Sequence, residues 1–304
     1  MTILRTLTAG LPALFALLLL PPAGAAAGEA RAAGAPRGGA VCLVGMGPGD
    51  AELVTFKTAK ALKEADCIFC FDYLKDEVAR FAPPEKIRVA SPLLMGRFRG
   101  PGGKDLPPQL SERARRSAEE AAKFLPQVRS LVAGGKKIVF ADAGDPTLYC
   151  PWSWVVEDLA DLAPTVLPGL SSFNAANAAL GQSVTRNSGS VLLSAGDDLG
   201  TADEHGRLKA VLVLFTHRAK LKELLPRLQT RYPGDTPIAV VTEASYPRQR
   251  VVFATLATLP QKLGGQELPH LYLIYVGDGL KPPATADRAG GGSREANHRS
   301  KRSE

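Results

Sequence analysis

The 304-residue chain is poor in the residues that make ready-built sites: it has four cysteines, four histidines, three methionines and two tryptophans. Four thiols in a chain of this length cannot staple a disulfide-built scaffold. His205, His217, His270 and His298 are scattered without metal-ligand spacing, so no metal site is expected. Cys67 and Cys70 form a C-x-x-C pair, but on a strand positions i and i+3 face opposite ways, which predicts packed core thiols rather than a redox pair. There is one long apolar run, which argues against a polytopic membrane protein. The excess of positive charge is also thin where it would matter. Of the formal +7, residues 1–40 and 281–304 carry +2 and +3, leaving +2 on residues 41–280. Nucleic-acid binding by the folded part is not indicated.

What is present begins with two ends unlike the middle. Residues 1–27 read as a signal peptide or N-terminal anchor: Arg5, an apolar stretch from Leu7 to Leu20, Pro21-Pro22, then the small residues around Ala23-Gly24-Ala25. This leader predicts an exported or periplasmic protein, touching membrane only through that segment if uncleaved. A miscalled start would instead leave the protein cytoplasmic. Residues 28–40, rich in Ala, Gly and Pro, read as a flexible linker, and residues 281–304 as a disordered basic tail.

Between them, short apolar runs alternate with helical stretches. Val41 to Val44 predicts a buried strand that stops at the turn Gly45-Met46-Gly47-Pro48-Gly49-Asp50. A helix over 55–65 and a strand over 66–71 complete a βαβ opening. A long loop is expected over 91–108, then a helix over 111–131 interrupted near Pro126, a strand over 137–141, a helix over 153–162 and a strand over 165–167. Further on, helices are expected over 173–180 and 221–231, with strands over 191–194, 210–215, 237–242, 250–254 and 271–276. The pattern predicts α/β architecture in two domains of similar size, 41–167 and 168–280.

The first glycine turn has the wrong spacing for a P-loop or a G-x-G-x-x-G fingerprint, and Pro48 lacks an N–H that a phosphate cradle would use. A turn at a strand's carboxyl end nonetheless lies where open α/β sheets place ligands.

Taken with four later blocks, the turn resembles the tetrapyrrole (corrin/porphyrin) methylases, a family that includes uroporphyrinogen III and precorrin methyltransferases; the precorrin-4 type is nearest. The blocks are Val41 to Asp50 with Leu53-Val54-Thr55, Ala143-Gly144-Asp145-Pro146-Thr147-Leu148-Tyr149, Val166 to Phe173 with Ala179 to Thr185, Pro237 to Gln249, and Pro269 to Gly277. The resemblance implies two α/β domains with S-adenosyl-L-methionine in the cleft between them, a tetrapyrrole substrate and a homodimer. Carried over by position, Pro48, Ala143, Gly144, Asp145, Leu148, Ser171 and Ser172 line the cofactor pocket. Thr216 stands where the family contacts the cofactor from the second domain, and Ala244 and Pro269 are further candidates. Asp72, in a D-x-L after the second strand, is the candidate base or pyrrole N–H acceptor, with a capping or loop role as the alternative. Asp145 either orients its turn or touches substrate. Arg97, Arg99 and Lys104 either meet substrate carboxylates or form a solvated loop. Asn174, Asn177, Trp152 and Trp154 read as capping or packing residues.

Two positions depart from the family pattern. Cys150 stands where a glycine is usual, and Phe140-Ala141 replaces the usual Arg-Leu. These departures leave open an exported, non-catalytic relative that holds a tetrapyrrole or nucleoside-like ligand.

Overall fold

The structure, a computed structural model, describes residues 40–95, 108–185, 189–216 and 220–281. The leader, most of the linker, the basic tail beyond Lys281, His217, His298, Arg97, Arg99 and Lys104 lie outside the described residues.

The first half builds an all-parallel sheet of five strands, β1 (Val41–Gly45), β2 (Cys67–Cys70), β3 (Ile87–Val89), β4 (Ile138–Asp142) and β5 (Thr165–Leu167), in the order β3-β2-β4-β1-β5. Parallel strands buried on both faces read as continuous apolar runs, and β1, β2 and β4 are of that kind. Alternate residues feed two cores. Val41, Leu43, Phe69 and Phe140 pack on one face with Phe124, Trp152 and Trp154, while Val44, Ile68, Cys70 and Val139 pack on the other with Leu62 and Val78. The former face is covered by α3 (Pro108–Ala133) and α4 (Trp154–Asp158), the latter by α1 (Phe56–Glu64) and α2 (Lys75–Ala79). Cys67 and Cys70 fall in different cores and are free thiols, as the strand period requires.

Three features correct the sequence expectations. Helix α3 runs through Pro126 without a break. Pro126 is on the exposed face, where the carbonyl it displaces can tilt into water. Residues 153–162 make one five-residue helix and a separate 3-10 turn, Ala160–Leu162. Strand β4 extends one residue further than expected, which brings Asp142 into the sheet. The short β3 and α2 were not legible. Of the three β3 residues two are exposed, so there is no apolar run to see.

The second half forms a mixed sheet of β6 (Ser190–Ser194), β7 (Ala210–Phe215), β8 (Pro237–Thr242), β9 (Arg250–Thr255) and β10 (Tyr272–Val276), ordered β6-β7-β10-β8-β9. Only β6 and β7 run parallel. Helices α6 (Leu221–Arg231) and α7 (Leu259–Leu263) cover one face, and α5 (Ser172–Leu180) lies against the other. No helix among the described residues is long and apolar enough to cross a membrane.

Candidate functional site

The parallel order of the first sheet brings the loops after β1, β4 and β5 to one edge. Gly45, at the end of β1, pairs with Asp142, at the end of β4. Just beyond, Gly47 N–H donates to the Gly144 carbonyl at 3.2 Å and Gly144 N–H donates back at 2.7 Å. The third loop closes on this pair through glycine: a Cβ on Gly169 would sit 2.2 Å from the Gly144 oxygen and 2.9 Å from the Gly45 Cα. Only backbone fits at that meeting point. Helix α1 is tied to the same edge, where the buried Thr58 hydroxyl donates to the Gly45 carbonyl at 3.1 Å.

The second lobe meets this edge directly. Tyr246 covers Gly49 so closely that a Cβ there would overlap its ring. The Asp50 N–H donates to Ser245 Oγ at 3.3 Å, and Tyr149 packs on Phe215 with ring centroids 4.8 Å apart. Among the described residues four non-glycines have positive φ, and three of them, Tyr149, Glu243 and Ser245, stand at this junction. Left-handed backbone costs on the order of 1–3 kcal/mol per residue and clusters at functional sites.

A cavity of about 190 Å³ opens between the lobes. Its lining combines the apolar Pro48, Phe215, Val241 and Leu273 with the polar Ser172, Thr216, Glu243 and His270. Glu243 is anchored by Arg248 at 2.7 Å.

Four of the ten expected cofactor residues line this cavity: Pro48 from the first lobe, and Ser172, Thr216 and Ala244 from the second. Thr216 is buried, and its hydroxyl already donates to the Tyr272 carbonyl at 2.7 Å. Ala143, Gly144, Asp145, Leu148, Ser171 and Pro269 are not in its lining. Gly144 holds the Gly47 turn beside Pro48. The Asp145 carboxylate accepts the Thr147 N–H at 2.8 Å and its hydroxyl at 2.7 Å, so Asp145 shapes its own turn. Leu148 packs against the second lobe's core of Ala176, Leu180 and Phe215. Ser171 caps α5 in a reciprocal box with Asn174, and Asn177 accepts from the Tyr275 hydroxyl at 2.9 Å. Pro269 lies in a neighbouring groove with Arg248 and Lys262. Asp72 is exposed, at the start of a 3-10 turn after β2.

Sequence reasoning missed Asp142. Its side chain is 1% exposed and accepts three hydrogen bonds: from the Tyr73 hydroxyl at 2.8 Å, the Ala143 N–H at 2.8 Å and the Cys150 thiol at 3.0 Å. Burial raises its pKa, and these three donors, together with the Trp152 N–H, partly offset that. Burial, then the Asp142 charge, raises Tyr73 and Cys150 as well. The Cys150 departure thus has a definite place: its thiol serves this carboxylate, and its sulfur accepts the Trp152 N–H at 3.3 Å. The available signal was a lone acid ending an apolar strand.

Residues 40–260 match the family described as Tetrapyrrole (Corrin/Porphyrin) Methylases. The chain is 27% identical over 263 residues to a precorrin-4 C(11)-methyltransferase of Mycobacterium tuberculosis, covering 81% of this chain and 94% of that protein. The fold is similar to that of a cobalt precorrin-4 methyltransferase of cobalamin biosynthesis, with a TM-score of 0.59, 24% identity and coverage of 81% and 99%. It is also similar to a uroporphyrin-III C-methyltransferase from Thermus thermophilus complexed with S-adenosylhomocysteine, with a TM-score of 0.55, 22% identity and coverage of 79% and 93%.

Proposed function

The chain belongs to the tetrapyrrole methylase family, and from that premise we propose that it is an S-adenosylmethionine-dependent C-methyltransferase acting on a tetrapyrrole such as a precorrin or uroporphyrinogen. The relative spanning 81% of the chain, a precorrin-4 C(11)-methyltransferase, carries the substrate class. The observation that carries the reading is the cavity between the lobes, at the carboxyl edge of the parallel sheet.

The residues present fit the cofactor. A lining that mixes apolar and polar residues suits an aromatic base joined to a sugar, with Ser172, Glu243 and His270 the candidate partners for its hydroxyl and amino groups. Pro48, Ser172, Thr216 and Ala244 would hold it. When bound, the cofactor supplies an electrophilic methyl group, the S–CH₃ bond breaking with its electron pair to sulfur as a C–C bond forms. The protein's part is alignment and exclusion of water. The lobe-to-lobe contacts, Tyr246 on Gly49 and Tyr149 on Phe215, keep the wall of the cavity in place.

Within this reading the protein works as a homodimer, as the family resemblance implies. Residues 1–27 direct export or, uncleaved, anchor it to a membrane, on the support of their sequence pattern alone. Calorimetric titration of the folded protein with S-adenosylhomocysteine tests the cofactor assignment. Micromolar binding is expected, and no binding by a folded sample contradicts it. Binding without methyl transfer to any tetrapyrrole would favour the ligand-holding relative.

A further inference from the structure

Asp142 is a buried carboxylate whose two oxygens are met by neutral donors alone. Its buried carboxylate is in no ion pair among the described residues, and its partners, Tyr73, Cys150 and the Ala143 N–H, are neutral donors. Burying a carboxylate without a cation is costly. Unlike Asn, it can take up a proton.

Tyr73 connects that carboxylate to the open edge of the sheet. It follows β2 and is 51% exposed, while its hydroxyl points inward to Asp142 at 2.8 Å. Its ring stacks on Phe71 at 6.2 Å, and Phe71 stacks on Trp152 at 4.4 Å, which fixes it in place. Because β2 neighbours β4 and β4 neighbours β1, Tyr73 stands about two strand spacings, roughly 10 Å, along the edge from the turn that holds Pro48. A planar macrocycle laid along that edge from the cavity reaches it. With its proton given to Asp142, the hydroxyl oxygen has a lone pair left for the substrate.

We propose that Tyr73 and Asp142 form the proton-accepting pair of the methyl transfer, with Tyr73 Oη facing the tetrapyrrole, Asp142 behind it, and Cys150 orienting the carboxylate. This rests on the function proposed above, and it moves the base from Asp72 to its neighbour. A neutral ring that gains a methyl group at carbon carries one positive charge until it sheds a proton. That proton leaves its C–H or N–H bond, whose electron pair returns to the ring, and joins Tyr73 Oη as the tyrosine's own proton passes to Asp142 Oδ1. The carboxylic acid then returns the proton to water by the same route when product leaves. Tyr73 is the catalytic residue; Asp142 and Cys150 are positioning residues that act through it.

The titratable groups facing Asp142 are Tyr73, from the turn after β2, and Cys150, from the loop after β4. Cys70, which acts on Tyr73 from the end of β2, is pushed by burial up to about 11. None of these three is charged near neutral pH, so within this cluster the group that takes up a proton as pH falls is Asp142.

The test compares the full chain with its Y73F, D142N and C150S variants. The readouts are methyl transfer to uroporphyrinogen III and precorrin-4 as a function of pH, S-adenosylhomocysteine affinity, and the infrared carbonyl band of a protonated carboxyl group without ligand. Y73F and D142N should lower kcat by about 10²–10⁴-fold with unchanged S-adenosylhomocysteine affinity. D142N should also lose the acidic limb and the carbonyl band. C150S, with a stronger donor on the carboxylate, should move the limb to lower pH. Should D142N fail to fold, Y73F, which removes one oxygen from a half-exposed ring, still decides. Wild-type kcat in Y73F, loss falling on Asp72→Asn instead, or a carbonyl band titrating in the ordinary carboxylate range would overturn the inference alone. A wild-type protein that binds S-adenosylhomocysteine and methylates neither tetrapyrrole overturns the proposed function, and this inference with it.

Discussion

Gly45 and Gly169 pack backbone to backbone where three loops meet: a Cβ on Gly45 would lie 2.8 Å from the Gly169 Cα, and one on Gly169 would lie 2.9 Å from the Gly45 Cα. Both positions also face the Gly144 carbonyl, which accepts from Gly47. The cleft wall therefore depends on contacts that a single methyl group breaks.

Gly169→Ala should destabilise the protein by about 1–3 kcal/mol, the usual cost of forcing a methylene into close packing. It should also weaken S-adenosylhomocysteine binding, because the shift passes through Gly144 and Gly47 to Pro48. Urea unfolding beside calorimetry reads both effects. A variant with wild-type midpoint and affinity would show that the backbone contact is slack.

The Thr216 hydroxyl is committed to the Tyr272 carbonyl at 2.7 Å inside the second lobe. Thr216→Val leaves that buried acceptor unpaired and should cost about 1–3 kcal/mol, whereas Thr216→Ser keeps the donor and should stay near wild type. Equal destabilisation of both variants in thermal melts would mean that packing of the methyl group, not the hydrogen bond, is what Thr216 contributes.

Stability should fall across the pH range in which Asp142 ionises. Burial raises its carboxyl above the unfolded value of about 3.9, so the folded protein holds that proton more tightly than the unfolded chain. The stability gained is complete below the unfolded value and is lost as pH rises through the folded one. Wild type should therefore lose Tm relative to D142N as pH increases through that window. A difference in Tm that stays constant with pH would place the Asp142 pKa at its ordinary value.

The fold class was legible because buried parallel strands are continuous apolar runs, and β1, β2 and β4 each end at a turn or a polar residue. The carboxyl edge was legible from the Gly45–Asp50 turn, and Asn174, read as capping or packing, caps α5. Asp142 was not, because its importance lies in partners that local pattern does not reveal: Tyr73 is 69 positions away, and Cys150 lies across a turn. The meeting of Gly49 with Tyr246 is likewise a contact between lobes that no periodicity encodes. Pro126 misled because a helix breaker was read without knowing that its face is solvated.

The most direct test of the account is to incubate the full chain with S-adenosylmethionine labelled in its methyl group and either precorrin-4 or uroporphyrinogen III, then weigh the tetrapyrrole. The account predicts label on a ring carbon and one S-adenosylhomocysteine released per methyl gained. Label remaining on the cofactor, in a folded protein that binds it, would contradict the methyltransferase reading.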